Sequence, residues 1–286
     1  MSDGLGLIVD RDDDGLRPDI ERQHQEILSR LAPTPVSFQV KDTSNLPPQW
    51  WLPIPPKNQG SFSCCVGGGK SGCFEHRNMV ETGELVWFSM WQAYIDSQRA
   101  SGFLGRDQGA SLYGALESSN NRGCALDVLC PMPAHYTTDL PGAAVHDAIQ
   151  HKHLGDVHYD GRSWSTMQDW LTNQDPMLFG GIWTSALDNI NSSDWVIQPR
   201  HLKTGMRRGY HCKYLCGWFT LDGELCPVVR NTHGQRWGRN GIAVISHAAW
   251  DVYSADPNWV CLAFGDIQER EPKRRSYTES RAGDTC

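Results

Sequence analysis

No apolar run in this chain approaches the roughly 20 residues that a bilayer-spanning helix needs. The opening MSDGLGLIVDRDDDG also lacks the basic region and long apolar stretch of a secretory signal. A cytoplasmic protein, or one exported by another route, is therefore expected. A cationic excess is missing too. The formal charge is −7, which gives no reason to expect nucleic acid or a membrane surface as a partner. No internal repeat is visible. Cysteine is not scarce, at 10 residues, but over 286 residues its density is far below that of a disulfide scaffold.

What is present suits one large domain or two closely packed halves, with 39% hydrophobic residues to build a core. The 12 tryptophans are spread along the chain, as core and groove lining would be. Residues 1–34 form an acidic leader in which Pro18, Ile20, Ile27 and Leu31 predict a short amphipathic helix. A proline-rich arm follows, PTPVSFQVKDTSNLPPQWWLPIPP. Helices are predicted from Cys65 to about Glu81, after the Ser89/Gln92 capping pair, and over SLYGALESSNN with Gly123 as its stop. Residues 125–175 read as irregular connecting structure. From MLFGGIWTS onward the texture is that of strands, with a hairpin turning at Asp222-Gly223 and a later strand in GIAVISH. The tail from 268 to 286 reads as polar and disordered. Helices before strands indicate an α+β fold with a cleft between a helical part, about 60–130, and a β part, about 176–267.

The stretch KNQGSFSCCVGGGKSG carries two conflicting signals. GGGKS resembles the end of a phosphate-binding loop, but the glycine that such a loop needs five positions before Gly69 is replaced by Cys64. The preceding IPPKNQGSFS is no apolar strand either. The glycines have a plainer use: positions without side chains let a helix lie close to a neighbouring backbone.

The other signal is a thiol. NQGSFSCC places Gln59 six positions before Cys65, at the start of a predicted helix. Much later, VVRNTHGQRWGRNG sets Asn231, Gly234, Trp237, Gly238, Asn240 and Gly241 in a strand-turn-strand pattern. Between them, His211 lies within the roughly 130 to 150 residues that separate cysteine from histidine in one peptidase family, and Asn231 lies slightly beyond. On these three blocks the chain resembles the papain-like cysteine peptidases over about residues 36–255. The resemblance implies a two-lobed fold, with a helical N-terminal half, an antiparallel sheet or barrel in the C-terminal half, and the cleft between. It implies a peptidase domain over 35–267, with Cys65, His211, Asn231 and Gln59 as the catalytic set.

The chemistry of these residue types agrees. An ordinary thiol, with a pKa of about 8.5, is mostly protonated at neutral pH, and a helix N-terminus or a nearby imidazolium lowers that value. Cys65 opens the helix, His211 would supply the imidazolium, and Asn231 would fix its ring. Gln59 and the Cys65 amide would hold an oxyanion. The spacing from Gln59 selects Cys65 over Cys64, which is left as a buried small side chain or a disulfide partner. Trp237 matches the tryptophan on the leaving-group side of the cleft, and DQGASLYGAL resembles the segment that pairs with substrate, placing Gly109 and Ala110 at the groove.

The departures from the family pattern are Val66 for an aromatic, Phe62 for a disulfide cysteine, and His233 for the tryptophan that shields the His–Asn bond. Thiol-dependent cleavage of a polypeptide is the expected activity, with no metal or organic cofactor. His151, His153, Asp156 and His158 in HKHLGDVH are metal-capable, but read as a solvated loop. Two alternatives stay open: an amidase or transpeptidase of cell-wall peptides, and a catalytically silent binding protein, perhaps within a larger assembly.

Overall fold

The computed structural model describes residues 54–153, 163–165, 167–168 and 176–263. The leader with its helix, the arm up to residue 53, residues 154–158 of the His-rich loop and the polar tail lie outside the described residues.

Three helices build the first half: α1 (Cys65–Thr82), α2 (Met90–Ala100) and α3 (Leu112–Asn121). Local chemistry sets their ends. Gly83, at φ 77°, closes α1 by returning its N–H to the Met79 carbonyl at 2.9 Å. Ser89 caps α2 by accepting from the Gln92 amide at 2.9 Å. The Gln92 side chain does not reciprocate as a capping box would; it bonds Asp96 and the Ala125 amide instead. Ser111 caps α3, and Gly123, at φ 74°, stops it.

A short helix α4 (Gly142–Ala148) corrects the expectation that all of 125–175 is irregular. Pro141 precedes it and three alanines fall within it, but seven residues are too few for a readable period.

The second half is a six-stranded sheet of β1 (Met177–Thr184), β2 (Val196–Ile197), β3 (Arg207–Leu221), β4 (Glu224–Arg230), β5 (Ile242–Ile245) and β6 (Val260–Ala263). Its order is β2-β5-β4-β3-β1-β6. Short helices α5 (Ser185–Asp188), α6 (Pro199–Lys203) and α7 (His247–Ser254) connect or cover it. The hairpin expected at Asp222-Gly223 is present: both residues have positive φ, 52° and 84°, and Leu221 pairs with Glu224.

The expectation of a wholly antiparallel sheet or barrel needs correction. β2 runs parallel to β5, and among the described residues the sheet is open, with β2 and β6 at its ends. A two-residue strand shows no alternation, so nothing in the sequence marks Val196–Ile197.

β3 is the spine of the molecule. Alternation sends Cys212, Tyr214 and Cys216 into a core shared with α1 and α2, while Leu215 joins a second core with Trp183, Trp250 and Trp259. The glycines of α1 explain how closely it meets α2 and β3. A Cβ on Gly67 would lie 2.4 Å from the Met90 carbonyl oxygen, one on Gly69 2.7 Å from Cys212 Sγ, and one on Gly72 2.3 Å from the Tyr214 ring. No helix among the described residues is long and apolar enough to cross a membrane.

Candidate active site

The nucleophile candidate sits where α1 meets β3. Cys64, at the N-cap, offers no side-chain cap, so the N-terminal backbone N–H groups and the helix dipole favour negative charge at this end. The Cys212 amide donates to Cys65 Sγ at 3.4 Å, which puts the sulfur beside the strand residue next to His211. Cys64 is disfavoured as the reactive thiol, because burial first, then the adjacent Cys65 and Asp107, push it well above the ordinary thiol range. The nine described cysteines are all buried thiols, so Cys64 pairs with none of the other eight.

The imidazole is held from the other side. His211 Nε2 and Asn231 Oδ1 are 2.6 Å apart, and the Thr232 amide donates to the same oxygen at 2.8 Å. That bond makes Nε2 the protonated nitrogen and leaves Nδ1 as the basic one. Nδ1 is buried and has no hydrogen-bond partner among the described residues.

The approach to Cys65 is fastened across the two halves. The Gln59 amide donates to the Thr232 carbonyl at 2.8 Å, Gly234 donates to Lys57 at 2.9 Å, and Asn58 bridges His233. Lys57 is itself tied to Glu75 of α1 at 2.6 Å. Gln59 Oε1 accepts from the Thr232 hydroxyl, and its Nε2 donates to the Phe62 carbonyl at 2.7 Å. Asp107 braces the last step: its Oδ1 accepts from the Ser63 amide at 2.9 Å and from the Tyr94 hydroxyl at 2.8 Å. Sequence reasoning passed over Asp107, Thr232 and Tyr94; only DQGA, as a block, drew notice.

His233 does not compete for Asn231. It packs ring to ring on His211, with centroids 4.7 Å apart. A tryptophan does lie beside the pair, but from β1: Trp183 is 4.5 Å from the His211 ring and 5.3 Å from that of His233. No motif marks Trp183. The signal that could have found it is pairing, since Gly181 faces His211 across β1 and β3 and brings Trp183 alongside.

Electrostatics follow from burial. Cys65 and His211 have no exposed surface. Burial first, then the charges of His233 and Lys213, hold the His211 imidazole well below its usual range, against the pull of the Asn231 bond. Burial brings His233 to about 4, although Asp188 opposes it.

The remaining sequence candidates are placed less openly. Trp237 is sunk behind Trp183, with its indole N–H on the Leu187 carbonyl at 2.8 Å. Gly109 has its amide on the Tyr94 hydroxyl and its carbonyl on Gln98, and Ala110 is buried. Lys70 of the GGGKS stretch is buried against Ser118 at 2.8 Å, a structural use that leaves no phosphate loop. Among the described residues no three His, Cys, Asp or Glu side chains are grouped to hold a metal. His151 lies near Asp147 and against Phe88, His153 bonds Asn120, and Asp156 and His158 lie outside the described residues.

No family model and no curated protein sequence matches the chain. Solved structures do. Xylellain, a cysteine protease from Xylella fastidiosa, matches with a TM-score of 0.68 at 15% identity, over 93% of this chain and 97% of that one. The chain has the papain-like fold. Within that fold a cathepsin B precursor from Trypanosoma congolense matches with a TM-score of 0.57 at 15% identity, over 74% of this chain and 72% of that one. A ragweed pollen cysteine protease in its proform gives 0.59 at 19%, over 76% and 64%. In this chain the helix of Cys65 lies against the strand of His211, the junction described above.

Proposed function

We propose that this protein hydrolyses peptide bonds through an acyl-enzyme on Cys65. The observation that carries the reading is the conjunction at β3: the Cys65 sulfur on the Cys212 amide at 3.4 Å, and the adjacent His211 held by Asn231 at 2.6 Å. Three residues distant in sequence are brought to one junction, which supports a thiol, an imidazole and an orienting amide acting together.

Cys65 transfers its proton to Nδ1 of His211, and the thiolate attacks the substrate carbonyl carbon. The oxyanion would be received by the Cys65 amide and by the Gln59 side chain, which is clamped between Thr232 and Phe62. His211 then protonates the leaving amine as the C–N bond breaks, and a thioester remains. Water, deprotonated by His211, releases the acyl group and restores the thiol. Asn231 keeps the ring in register through both steps. Substrate would run past Ala110 and the leaving-group side near Trp237. Since Gly109 is committed to α2, Ala110 is the better candidate for backbone pairing.

The complete burial of Cys65 sets a condition and favours one rival. An extended chain reaches the sulfur only after the site opens, and a silent binding protein would never need to open it. Incubation with casein, using Cys65→Ser as the blank, separates the readings. New peptide termini that depend on Cys65 support hydrolysis. Fragments from murein alone would move the substrate to cell-wall peptides, and no cleavage of either would leave the silent protein.

A further inference from the structure

Two residues along β3 from His211, and on the same face, lies a lysine that neither the fold nor the proposed chemistry requires. Lys213 has no exposed surface, and its ammonium makes no hydrogen bond among the described residues. It is surrounded instead by ring faces: Trp183 at 4.8 Å, Phe179 at 5.0 Å and Tyr253 of α7 at 5.6 Å. Such faces attract a cation but recover only part of its lost hydration. A methionine or leucine would fill the same space at lower cost.

The position of the charge suggests its use. Trp183 touches both groups: its ring lies 4.8 Å from the ammonium of Lys213 and 4.5 Å from the imidazole of His211. The titratable groups within electrostatic range are His211 and Cys212 on the same strand, Cys65 from α1, His233 after β4 and Tyr253 from α7. No carboxylate among the described residues pairs with Lys213.

We propose that Lys213 is a positioning residue for the Cys65–His211 pair: its caged ammonium favours the thiolate and disfavours extra protons on the ring, so that reactivity begins at lower pH. The inference rests on Cys65 being the nucleophile. A positive charge near both groups lowers the proton affinity of each. Burial brings Lys213 itself down to about 7, so the charge acts on the acid side and fades above neutrality.

The test is the pH profile of Cys65 alkylation by iodoacetamide in the full chain, for the parent, Lys213→Met and Lys213→Arg. Lys213→Met should move the acid limb to higher pH by about one unit, a tenfold change in proton affinity, while Lys213→Arg leaves it near the parent's. The methionine variant should melt no lower than the parent, because a buried unpaired charge has gone. Identical acid limbs in parent and Lys213→Met overturn the proposal, and Lys213 is then a spacer. If the parent labels like an ordinary thiol at every pH, it is the reading of Cys65 that has failed. The lysine is then judged by the titration of its ε-carbon, followed by NMR in the parent and in His211→Ala. A shifted midpoint upholds the coupling, and an unchanged one removes it. The same NMR comparison decides the matter if Lys213→Met does not fold.

Discussion

Gly67→Ala offers the sharpest test of how α1 is seated. The new Cβ would lie 2.4 Å from the Met90 carbonyl oxygen and 2.7 Å from the Tyr94 amide nitrogen, both backbone atoms of α2. Backbone cannot rotate aside, so α1 must shift. Two effects compete. Alanine gains about 1 kcal/mol of helix propensity over glycine, while overpacking of a tight contact costs about 1–3 kcal/mol. Against an unyielding backbone the upper part of that range applies, leaving a net loss of about 1–2 kcal/mol. For a domain of this size that lowers Tm by roughly 5 °C. Gly142→Ala is the matched control, since nothing lies within 4 Å of its would-be Cβ. It should hold or slightly raise Tm. The same shift would draw Cys65 from the Cys212 amide, so alkylation of Cys65 should slow in Gly67→Ala alone. If Gly67→Ala is as stable as the parent and labels as fast, the close seating of α1 on α2 is wrong.

Acid should weaken the fold. Burial holds His153 and His233 at about 4, against an ordinary 6.5, so the unfolded chain binds more protons between those values and stability rises with pH across them. Each histidine accounts for roughly 3 kcal/mol lost on passing from about pH 6.5 to about 4; urea denaturation at several pH values measures it, and a flat profile would contradict it. Asp107→Ala leaves the Ser63 amide and the Tyr94 hydroxyl without their acceptor, for a loss of about 3 kcal/mol in denaturant melts. Asp107→Asn keeps an Oδ1 acceptor and should lose far less; equal losses in the two variants would discount the brace. Trp183→Ala strips the ring from His211, and should cost about 3–5 kcal/mol in the same melts.

What the sequence disclosed depended on whether the information was local. The capping serines, the stop glycines and the Asp222-Gly223 turn each act within a few residues, and the helices and hairpin were legible for that reason. Cys65, Gln59, His211 and Asn231 became candidates through the resemblance of three blocks to the papain-like peptidases, which no cap or period would have supplied. The two-residue strand β2 and the short helix α4 carry too few residues to show a period. Trp183, Lys213 and Asp107 escaped for a different reason. Their roles are created by pairing of β1 with β3 and by the packing of a loop on the residues before Cys65, which no local pattern encodes. The burial of the whole site was equally invisible, because exposure belongs to the assembled surface.

Hydrolysis by this protein requires Cys65 and His211 to share a proton. The direct measurement is the alkylation rate of Cys65 against pH, read by peptide mapping, in the parent and in His211→Ala. Cys65 should react ahead of Cys64, with an onset well below the roughly 8.5 of an ordinary thiol, and His211→Ala should return the onset to that ordinary range. The same onset in both proteins, or a Cys65 that reacts no faster than Cys64, would contradict it.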